Sequence, residues 1–399
     1  MLTLNAGSSS LKFALFVLAE GPKGRPMPPR LRGEIEGLGA AVHFSAKDAA
    51  GTKRLDRHYA AEEAPADAEA ALRILLDWLE GEVPGLTLAA IGHRVVHGGI
   101  HYAAPLIVDD KILADLKTLE PLAPLHQPFN LDGIAAARAA HPEALQIACF
   151  DTAFHRAHPW ENDVFALPRA LYDEGVRRYG FHGLSYEFIT RRMRQIAPEI
   201  AGGRLIVAHL GNGASMCAIR DGVSVGSSMG FSALDGLPMG TRCGQIDPGV
   251  LLYLMQEHGY DAKRLTTLLY KESGLKGLSG ITHDMRTLEA SDDPRAAEAI
   301  RYFDFRIRRE IGAMAAILGG VDGVVFTGGI GENSTRVRAE ATAGMDWIGI
   351  AVDPARNAGP EMEISPPGAK VRVFKVPTDE EAMIARHVSE VLEARGAAA

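Results

Sequence analysis

Two segments of the chain show the same succession of apolar runs and small-residue turns. Near the N-terminus, the apolar stretches at 2–4 and 11–18 flank a turn of Gly and Ser. Residues 204–210 and 216–220 flank the turn GNGAS in the same way. Short apolar runs around Gly-rich turns predict β-hairpins. Because mixed helical and strand segments follow each copy, the pattern predicts a duplicated α/β domain, with a mixed sheet in each copy and a ligand-binding cleft between the two.

Helical spacing of apolar residues follows each predicted hairpin, at 67–81 and again at 301–320. Within the second segment, the apolar residues expected to face a core are Phe303, Ile307, Ile311, Met314 and Leu318. The window 311–330 carries Asp322 as its single charge but also six glycines. It therefore predicts a buried helix and a buried strand instead of a membrane span.

The composition is that of a soluble protein with an excess of glycine. The 399 residues include 43 glycines, and 42 basic against 50 acidic residues give a formal net charge of -8. That balance argues against nucleic-acid binding, which needs a strongly basic surface. Three scattered cysteines argue against a disulfide framework or a zinc cluster and favour the cytoplasm. Neither a signal peptide nor a membrane anchor is expected, and the Pro- and Gly-rich stretch 21–30 predicts an exposed loop.

Four Gly-rich turns follow apolar stretches, at 5–10, 209–215, 239–244 and 326–333. The sequence has neither the P-loop nor the dinucleotide-binding fingerprint. Glycine lets backbone N–H groups converge on phosphate oxygens, so several such turns can share one nucleotide. A single turn of this kind is more often structural. Four of them on two hairpin repeats favour a phosphate-binding site.

Charged residues cluster close to these turns and strand ends. Arg94 lies in GHRVVHGG, Asp151 in CFDTAFH, His182 in YGFHG and Arg242 in MGTRCG. An arginine is commonly a surface ion-pair partner, and a histidine among aromatic residues is commonly a core residue. An arginine inside a Gly-rich turn has few neighbouring side chains to pair with. Arg94 and Arg242 are therefore the candidates for binding a planar anion.

A nucleotide phosphate would bring Mg²⁺, which needs only one or two protein oxygen ligands and keeps its waters. The candidates are Asn5 in the first turn and Glu380 near the C-terminus. The alternative for residues 379–381 is an acidic first turn of a helix capped by Thr378. From the residues alone, that alternative is the stronger one.

Taken together, the motifs resemble the acetate kinase family, the short-chain carboxylate kinases of the acetokinase group. The resemblance runs the full length of the chain, and ten matches in order are specific. They are NAGSSSLK at 5–12, GHRVVHGG at 92–99, APLHQPFNL at 123–131, FDTAFH at 150–155, YGFHG at 179–183, HLGNGAS at 209–215, SMGFSALDGLPMGTRCGQIDPG at 228–249, SGLKGLSGITHDMR at 273–286, FTGGIGENS at 326–334 and PTDEE at 377–381.

The resemblance implies the duplicated actin-like ATPase and sugar-kinase fold, which is ribonuclease H-like, with two domains around a nucleotide cleft. It implies an N-terminal domain of residues 1–151 plus 380–399 and a C-terminal domain of residues 152–379 that carries most nucleotide contacts. It further implies reversible, direct in-line phosphoryl transfer from ATP to acetate, giving acetyl phosphate and ADP, with Mg²⁺ or Mn²⁺. A cytoplasmic homodimer is expected, without nucleic-acid or membrane partners.

The family's functional residues carry over onto matching positions. By this resemblance Arg94 binds the substrate carboxylate, Asp151 is the active-site acid, and His182 and Arg242 stabilise the transition state. Asn5 and Glu380 match the magnesium positions. The positions that match ATP contacts are Lys12, His209, Leu210, Gly211, Asn212, Gly213, Asp284, Met285, Arg286, Gly329, Ile330, Gly331, Glu332 and Asn333.

A carboxylate acceptor changes the role expected of the acid. The carboxyl group of the acceptor has a pKa of about 4 to 5, so the acceptor is already ionised at neutral pH and has no proton to remove. Asp151 need not be a base, and we expect it to orient Arg94, Arg242 or a magnesium-bound water.

Five positions depart from the usual family pattern, namely Gln127, Tyr186, Ser227, Gln245 and Asp379. They leave acyl-chain preference and dimer contacts open, since propionate and butyrate kinases share most of the motifs. Val96, beside Arg94, is one expected wall of the substrate pocket. A third alternative is an actin-like ATPase switch without kinase activity, but Arg94 and Arg242 have no evident use in a water-using ATPase.

Overall fold

The computed structural model describes residues 1–7, 10–18, 28–38, 41–124 and 126–398. The chain divides into two compact units. Unit 1 comprises Met1–Ala153 and Asp379–Ala399, and unit 2 comprises Phe154–Thr378. The division expected from the sequence differs from this one at residues 152, 153 and 379. The loop predicted at 21–30 lies mostly outside the described residues.

Unit 1 contains an eight-stranded mixed sheet. Its strands are β1 (Leu2–Ala6), β2 (Ser10–Leu15), β3 (Leu31–Glu36), β4 (His43–Asp48), β5 (Lys53–His58), β6 (Ala90–Val95), β7 (Leu106–Ile107) and β8 (Leu145–Phe150). The strand order is β5-β4-β3-β2-β1-β6-β8-β7. Strands β1 to β5 form an antiparallel meander, whereas β6 runs parallel to β1 and β8 runs parallel to β6.

Unit 2 contains a five-stranded mixed sheet. Its strands are β9 (Arg204–Leu210), β10 (Ala214–Arg220), β11 (Val223–Ser227), β12 (Gly323–Thr327) and β13 (Arg372–Lys375). They are ordered β11-β10-β9-β12-β13. Here β9, β10 and β11 are antiparallel, and β12 is parallel to both β9 and β13.

The two sheets share one topology. The run β3-β2-β1-β6-β8 in unit 1 has the same order and strand directions as β11-β10-β9-β12-β13 in unit 2. Each begins with a hairpin and continues through two parallel strands added beside its first strand. The repeat predicted from the two Gly-rich hairpins is therefore confirmed at the level of strand order.

Helices surround these sheets. They are α1 (Ala68–Glu82), α2 (Asp110–Lys117), α3 (Gln127–Ala140), α4 (Trp160–Asp163), α5 (Arg169–Asp173), α6 (Gly183–Ile196), α7 (Pro198–Ala201), α8 (Pro248–His258), α9 (Ala262–Lys271), α10 (Gly274–Ser279), α11 (Met285–Glu289), α12 (Pro294–Leu318), α13 (Gly328–Asn333), α14 (Thr335–Thr342), α15 (Pro354–Ala358) and α16 (Glu380–Ala398). Short 3₁₀ turns occupy Glu120–Leu122, Ala153–His155 and Asp346–Ile348.

Helix α1 shows how the sequence sets these elements. Asp67 caps it by accepting a hydrogen bond of 2.9 Å from the Ala70 N–H. Leu72, Leu75 and Leu79 form an apolar stripe that is buried in the unit 1 core. Each buried leucine contributes roughly 1.5–3 kcal/mol relative to an exposed one, so the stripe fixes the helix against the sheet.

Helix α12 confirms the expectation for the second helical segment. All five predicted core residues are buried. The helix ends at Gly319, whose φ of 67° is left-handed, and the buried strand β12 follows. Among the described residues no helix is long and apolar enough to cross a membrane.

Candidate active site

The carboxyl ends of three parallel strands bring polar side chains together in unit 1. Leu4 of β1 pairs with His93 of β6, and Asn5 and Arg94 are the next residues on these strands. Cys149 of β8 pairs with Arg94, two residues before Asp151. Parallel strands end at one edge of their sheet, which is where α/β folds commonly bind ligands.

Arg94 lies at the centre of this cluster. Its Nε is 3.1 and 3.0 Å from the two carboxylate oxygens of Asp151, and its Nη2 is 2.6 Å from Oδ2. Its Nη1 donates a 3.1 Å hydrogen bond to Oδ1 of Asn5. Asn5 Nδ2 in turn lies 3.4 Å from Oε2 of Glu380, the first residue of α16. A guanidinium has five N–H donors, so two remain beyond those given to Asp151 and Asn5.

Burial and neighbouring carboxylates set the charges of the cluster. Burial disfavours the cationic form of Arg94, but attraction from Asp151 and Glu380 outweighs it and raises the Arg94 pKa. Burial, together with repulsion from Glu380, raises the pKa of Glu381. Arg94 therefore stays a cation, and the Asp151 side chain, only 1% exposed, is its buried counterion.

The donor set at Asn5 and Glu380 fits Mg²⁺. An amide oxygen and a carboxylate are hard ligands, and Mg²⁺ needs few of them. The alternative of an acidic first helical turn is confirmed for Glu380 and Glu381. Its cap is not Thr378, however, because Asp379 caps α16 by accepting from the Ala382 N–H at 2.9 Å. The Thr378 hydroxyl instead bonds to Ser185 at 2.9 Å. Because Asp379 caps the helix, the carboxylate of Glu380 is available for a metal ion.

Lys12 lies on the same sheet as this cluster. It pairs with Asn5 across β1 and β2, so their side chains share one face of the sheet. Lys12 lines a groove of about 330 Å³ together with Arg32, Lys47 and Glu381. Its place on the sheet puts a cation next to the amide of Asn5.

The Gly-rich turns of unit 2 also meet at one sheet edge. Thr327, the last residue of β12, pairs with His209 of β9, so the turns that follow the two strands are neighbours. Gly328 has a φ of 77°, and a Cβ on it would lie within about 3 Å of the Leu210 backbone, so this close approach requires glycine. Glu332 stabilises the turn after β12 by accepting hydrogen bonds from the N–H groups of Gly328 and Thr378.

His182 is held by a polar network in unit 2. It has a left-handed φ of 57° directly before α6, which is strained for a residue other than glycine. Its Nδ1 is 2.8 Å from the Ser215 hydroxyl, which the Tyr186 hydroxyl also contacts. Its ring stacks on His209 at 4.3 Å. The network fixes the ring orientation of His182.

The opposite edge of the His182 ring faces Gly213 and Arg242. A Cβ on Gly213 would lie 3.3 Å from Nε2 of His182 and 3.8 Å from Nη1 of Arg242. Arg242 is half-buried, and its Nη1 donates to the Ala233 carbonyl at 3.3 Å. The structure therefore brings together two of the predicted transition-state groups beside the glycine turn after β9.

The residues 284–286 and 329–333 lie on connected segments. Asp284 caps α11 by accepting from the Thr287 N–H at 2.9 Å. Hydrogen bonds from Arg286 and Thr287 lower the pKa of Asp284 to about 2. Ser334, at the end of the Gly-rich turn, donates to Glu289 at the end of α11. The side chains of Leu210 and Met285 are buried, so either could reach a ligand only through its backbone.

Several supporting residues were not among the predicted site residues. Ser215, Tyr186 and Ser185 hold the two stacked histidines, yet no spacing in the sequence links them. His155 is buried and its Nε2 is 2.9 Å from the carbonyl of Phe181, the residue before His182. Only the fold reveals these contacts, because they join distant parts of the chain.

The departures from the family pattern are accommodated in the structure. Gln127 is buried and bonds to both the N–H and the carbonyl of His97. Gln245 accepts from Arg306 and Arg309 of α12. Asp379 caps α16 and pairs with Arg32 at 2.9 Å. These three polar replacements therefore have partners, whereas the buried hydroxyl of Ser227 has no hydrogen-bond partner within the described part of the chain.

Comparisons with known proteins agree with this architecture. A family model described as the acetokinase family matches residues 1–386. The acetate kinase of Methylocella silvestris is 58% identical over 100% of this chain and 99% of that protein, and the acetate kinase of Rhizobium meliloti is 48% identical over the same shares.

Solved structures extend the likeness to the fold. Porphyromonas gingivalis acetate kinase has a TM-score of 0.85 at 37% identity, covering 98% of this chain and 99% of that one. A propionate kinase from Francisella tularensis has a TM-score of 0.88 at 33% identity, covering 97% and 98%. The predicted α/β class and duplicated actin-like kinase fold are confirmed.

Proposed function

The chain belongs to the acetokinase family, and from this membership we propose that it transfers the γ-phosphoryl group of ATP to acetate, forming acetyl phosphate and ADP. The transfer is reversible because an acyl phosphate is itself a good phosphoryl donor. It is a direct in-line displacement, in which the acetate oxygen forms its bond to phosphorus as the bond to the ADP oxygen breaks.

The observation that carries this proposal is the way Asp151 holds Arg94. Asp151 takes the Nε edge of the guanidinium, which leaves two N–H groups for another anion. A planar carboxylate suits this fork-shaped donor. Acetate is already ionised at neutral pH, so Asp151 acts by positioning Arg94 and removes no proton.

Groups of unit 2 stabilise the transferred phosphoryl group. Charge spreads over its three equatorial oxygens during transfer, and fixed cations and hydrogen-bond donors lower that barrier. His182 and Arg242, which both border Gly213, take this role in the proposal. The glycine turns after β9 and β12 offer backbone N–H groups to the nucleotide phosphates, with Lys12 and residues 284–286 as further contacts.

Mg²⁺ is the proposed cofactor, with Asn5 and Glu380 as its protein ligands. When bound, the ion neutralises negative charge on the phosphate oxygens. The support for this assignment is that both residues carry an oxygen ligand and lie side by side, with Nδ2 of Asn5 3.4 Å from Oε2 of Glu380. Mn²⁺ accepts the same ligands.

A homodimer is also proposed, with α8 in its interface. Within the described part of the chain, none of the residues of α8 is buried. Leu252, Tyr253 and Met255 of α8 are about half exposed, as is Phe305 of α12. Exposed apolar side chains in such number mark an interaction surface. A second copy of the chain is the proposed occupant.

A reducing compartment, the cytoplasm, is proposed as the location. The three cysteines, Cys149, Cys217 and Cys243, are all free in the structure. Disulfides are rare in such compartments.

The test is an ADP-release assay with acetate, propionate, butyrate and glycerol as acceptors. Acetate turnover is expected in the wild type, with strong losses in Arg94→Ala and Arg242→Ala. Arg138→Ala is the matched control, since Arg138 forms an exposed ion pair with Asp110. Turnover of glycerol, or full activity in both site variants, would contradict a carboxylate kinase.

Propionate is the second candidate acceptor, favoured by the likeness to the propionate kinase structure. One methylene in an apolar pocket changes affinity by only about 1–3 kcal/mol. Val96 was the expected pocket wall, but it is 4% exposed and its N–H bonds to Asn130. The ratio of kcat/KM for acetate and propionate in the same assay decides between them.

A further inference from the structure

Four side chains share one face at the edge of the unit 1 sheet. Glu36 of β3 pairs with His43 of β4, and His43 pairs with His58 of β5, so the three form a row across neighbouring strands. Asp56 lies two residues before His58 and therefore on the same face. We call these four residues the edge cluster.

His43 lies in the middle of the edge cluster. Its Nδ1 is 3.3 Å from Oε1 of Glu36, and its Nε2 is 2.7 Å from Oδ1 of Asp56. The rings of His43 and His58 are stacked 4.2 Å apart with an interplanar angle of 11°. One ligand atom each from His43, Asp56 and His58 lies within 4.8 Å of the others.

We propose that the edge cluster binds a divalent transition-metal ion of the zinc class through His43 Nε2, Asp56 and His58. Imidazole and carboxylate ligands together suit Zn²⁺ and its neighbours, whereas Mg²⁺ prefers oxygen alone. A water molecule completes the tetrahedron. In a tetrahedral site with bonds of about 2 Å, ligand atoms are roughly 3.3 Å apart, so the three ligand atoms must move closer together. Because an imidazole nitrogen binds a metal in the plane of its ring, the stacked rings of His43 and His58 must also tilt until both point at the ion.

Glu36 has a supporting role in the proposed site. A metal-bound histidine generally donates its second ring N–H to a carboxylate or carbonyl, which fixes the ring and its tautomer. Glu36 occupies that position toward His43 Nδ1. The ion takes the place of the proton that otherwise lies between His43 Nε2 and Asp56. Lys53 contacts the other oxygen of Asp56 and can remain there.

The proposed ion would lie apart from the cluster around Arg94. Asn5, Lys12, Glu34, Ser45 and Asp56 pair in succession across β1 to β5. Four strand spacings of about 4.8 Å place Asp56 roughly 19 Å from Asn5. Phosphoryl transfer with Mg²⁺ should therefore not depend on the edge cluster. Instead, the ion would link β4 to the edge strand β5, and Glu36 of β3 would support His43.

The test uses full-length protein without an affinity tag, stripped of metal by a chelator that is then removed. Zn²⁺ is titrated in competition with a chromophoric chelator of micromolar affinity. One ion per chain is expected. His58→Ala and Asp56→Asn should each weaken binding by at least about tenfold, and His43→Ala/His58→Ala should abolish it. Glu36→Gln should weaken it less than loss of a ligand.

His101→Ala is the matched control, because His101 is an exposed histidine outside the edge cluster. This variant should bind zinc with the affinity of the wild type. Co²⁺ absorption provides a second readout that reports nitrogen and oxygen ligation directly. Circular dichroism and Mg²⁺-dependent activity verify that each variant is folded. The proposal is overturned if the wild type takes up no zinc at micromolar concentration, or if His43→Ala/His58→Ala binds zinc as the wild type does.

Discussion

The Asp151 carboxylate accepts hydrogen bonds from one edge of the Arg94 guanidinium, and Nη2 of Arg94 lies only 2.6 Å from Oδ2 of Asp151. This contact joins the carboxyl end of β8 to that of β6. Asp151 is almost completely buried, so water does not compete for this contact from the side of the carboxylate. The contact supports the proposal that Asp151 positions Arg94 and does not transfer a proton.

Replacing Asp151 with Asn should therefore damage acceptor binding and turnover together. The amide keeps the shape but loses the charge that holds Arg94, and small misplacement of a binding group costs roughly a hundredfold in rate. We expect kcat/KM for acetate to fall by about that factor. Steady-state kinetics at several Mg²⁺ concentrations provide the measurement. Unchanged turnover and unchanged magnesium dependence would rule out the positioning role.

Replacing Arg94 with Lys tests the fork geometry. A lysine keeps the charge but cannot hold Asp151 and a second carboxylate in one plane. Losing a charge-assisted hydrogen bond costs about 1.5–3 kcal/mol, so KM for acetate should rise roughly ten- to a hundredfold. KM for ATP should change little. Arg138→Lys serves as the control, and an acetate KM like that of the wild type in Arg94→Lys would refute bidentate binding.

The network behind His182 gives a third prediction. Tyr186→Phe removes the hydroxyl that contacts Ser215 and so loosens the partner of His182 Nδ1. A hydrogen bond contributes about 1 kcal/mol, so kcat should fall about fivefold with both KM values unchanged. Tyr102→Phe removes an exposed hydroxyl that bonds to Asp115 and should have no effect. Equal kcat values in the two variants would show that Tyr186 does not position His182.

The stability of unit 2 should depend on pH through buried groups of opposite sign. Burial lowers the pKa of His155 to about 3. The ordinary pKa of histidine is about 6.5, so below that pH the unfolded chain binds a proton at His155 that the native state does not bind. His155 therefore makes the free energy of unfolding fall as pH falls. Burial raises the pKa of Asp304 to about 7. Between about pH 4 and 7, Asp304 is protonated in the native state and ionised in the unfolded chain. Asp304 therefore makes the free energy of unfolding rise as pH falls.

Variants separate the two effects. Urea unfolding of the full-length protein between pH 6.5 and 4.5 gives the slope of the unfolding free energy against pH. His155→Gln should lower that slope by up to about 1.4 kcal/mol per pH unit, and Asp304→Asn should raise it by a similar amount. Shifts in the same direction for both variants would contradict the assigned protonation states.

The exposed face of α8 predicts a dimer that a charge can break. Leu252→Glu places a carboxylate where an apolar contact is proposed, and burying an unpaired charge is strongly unfavourable. Sedimentation at micromolar concentration should give a dimer for the wild type and a monomer for the variant. Leu167→Glu, an equally exposed leucine before α5, should remain dimeric. A monomeric wild type would contradict the proposal.

The class of fold and the identity of the motifs could be predicted from local sequence patterns. The paired hairpins, the helical stripe of α12 and the Gly-rich turns are local patterns, and local patterns follow from the period of the backbone. Arg94 and Arg242 were found because each lies in a short Gly-containing motif, although Arg94 belongs to strand β6 and not to a turn. The full-length resemblance then supplied roles that no single motif could give.

The contacts between distant side chains could not be predicted in this way. Thr378 was predicted to cap the last helix, but its hydroxyl bonds to Ser185, while Asp379, one residue later, makes the cap. The sequence gives no sign that Ser215 supports His182, or that Glu36, His43 and His58 form one row. Those contacts depend on strand register and on chain segments far apart in sequence, which local preference does not encode.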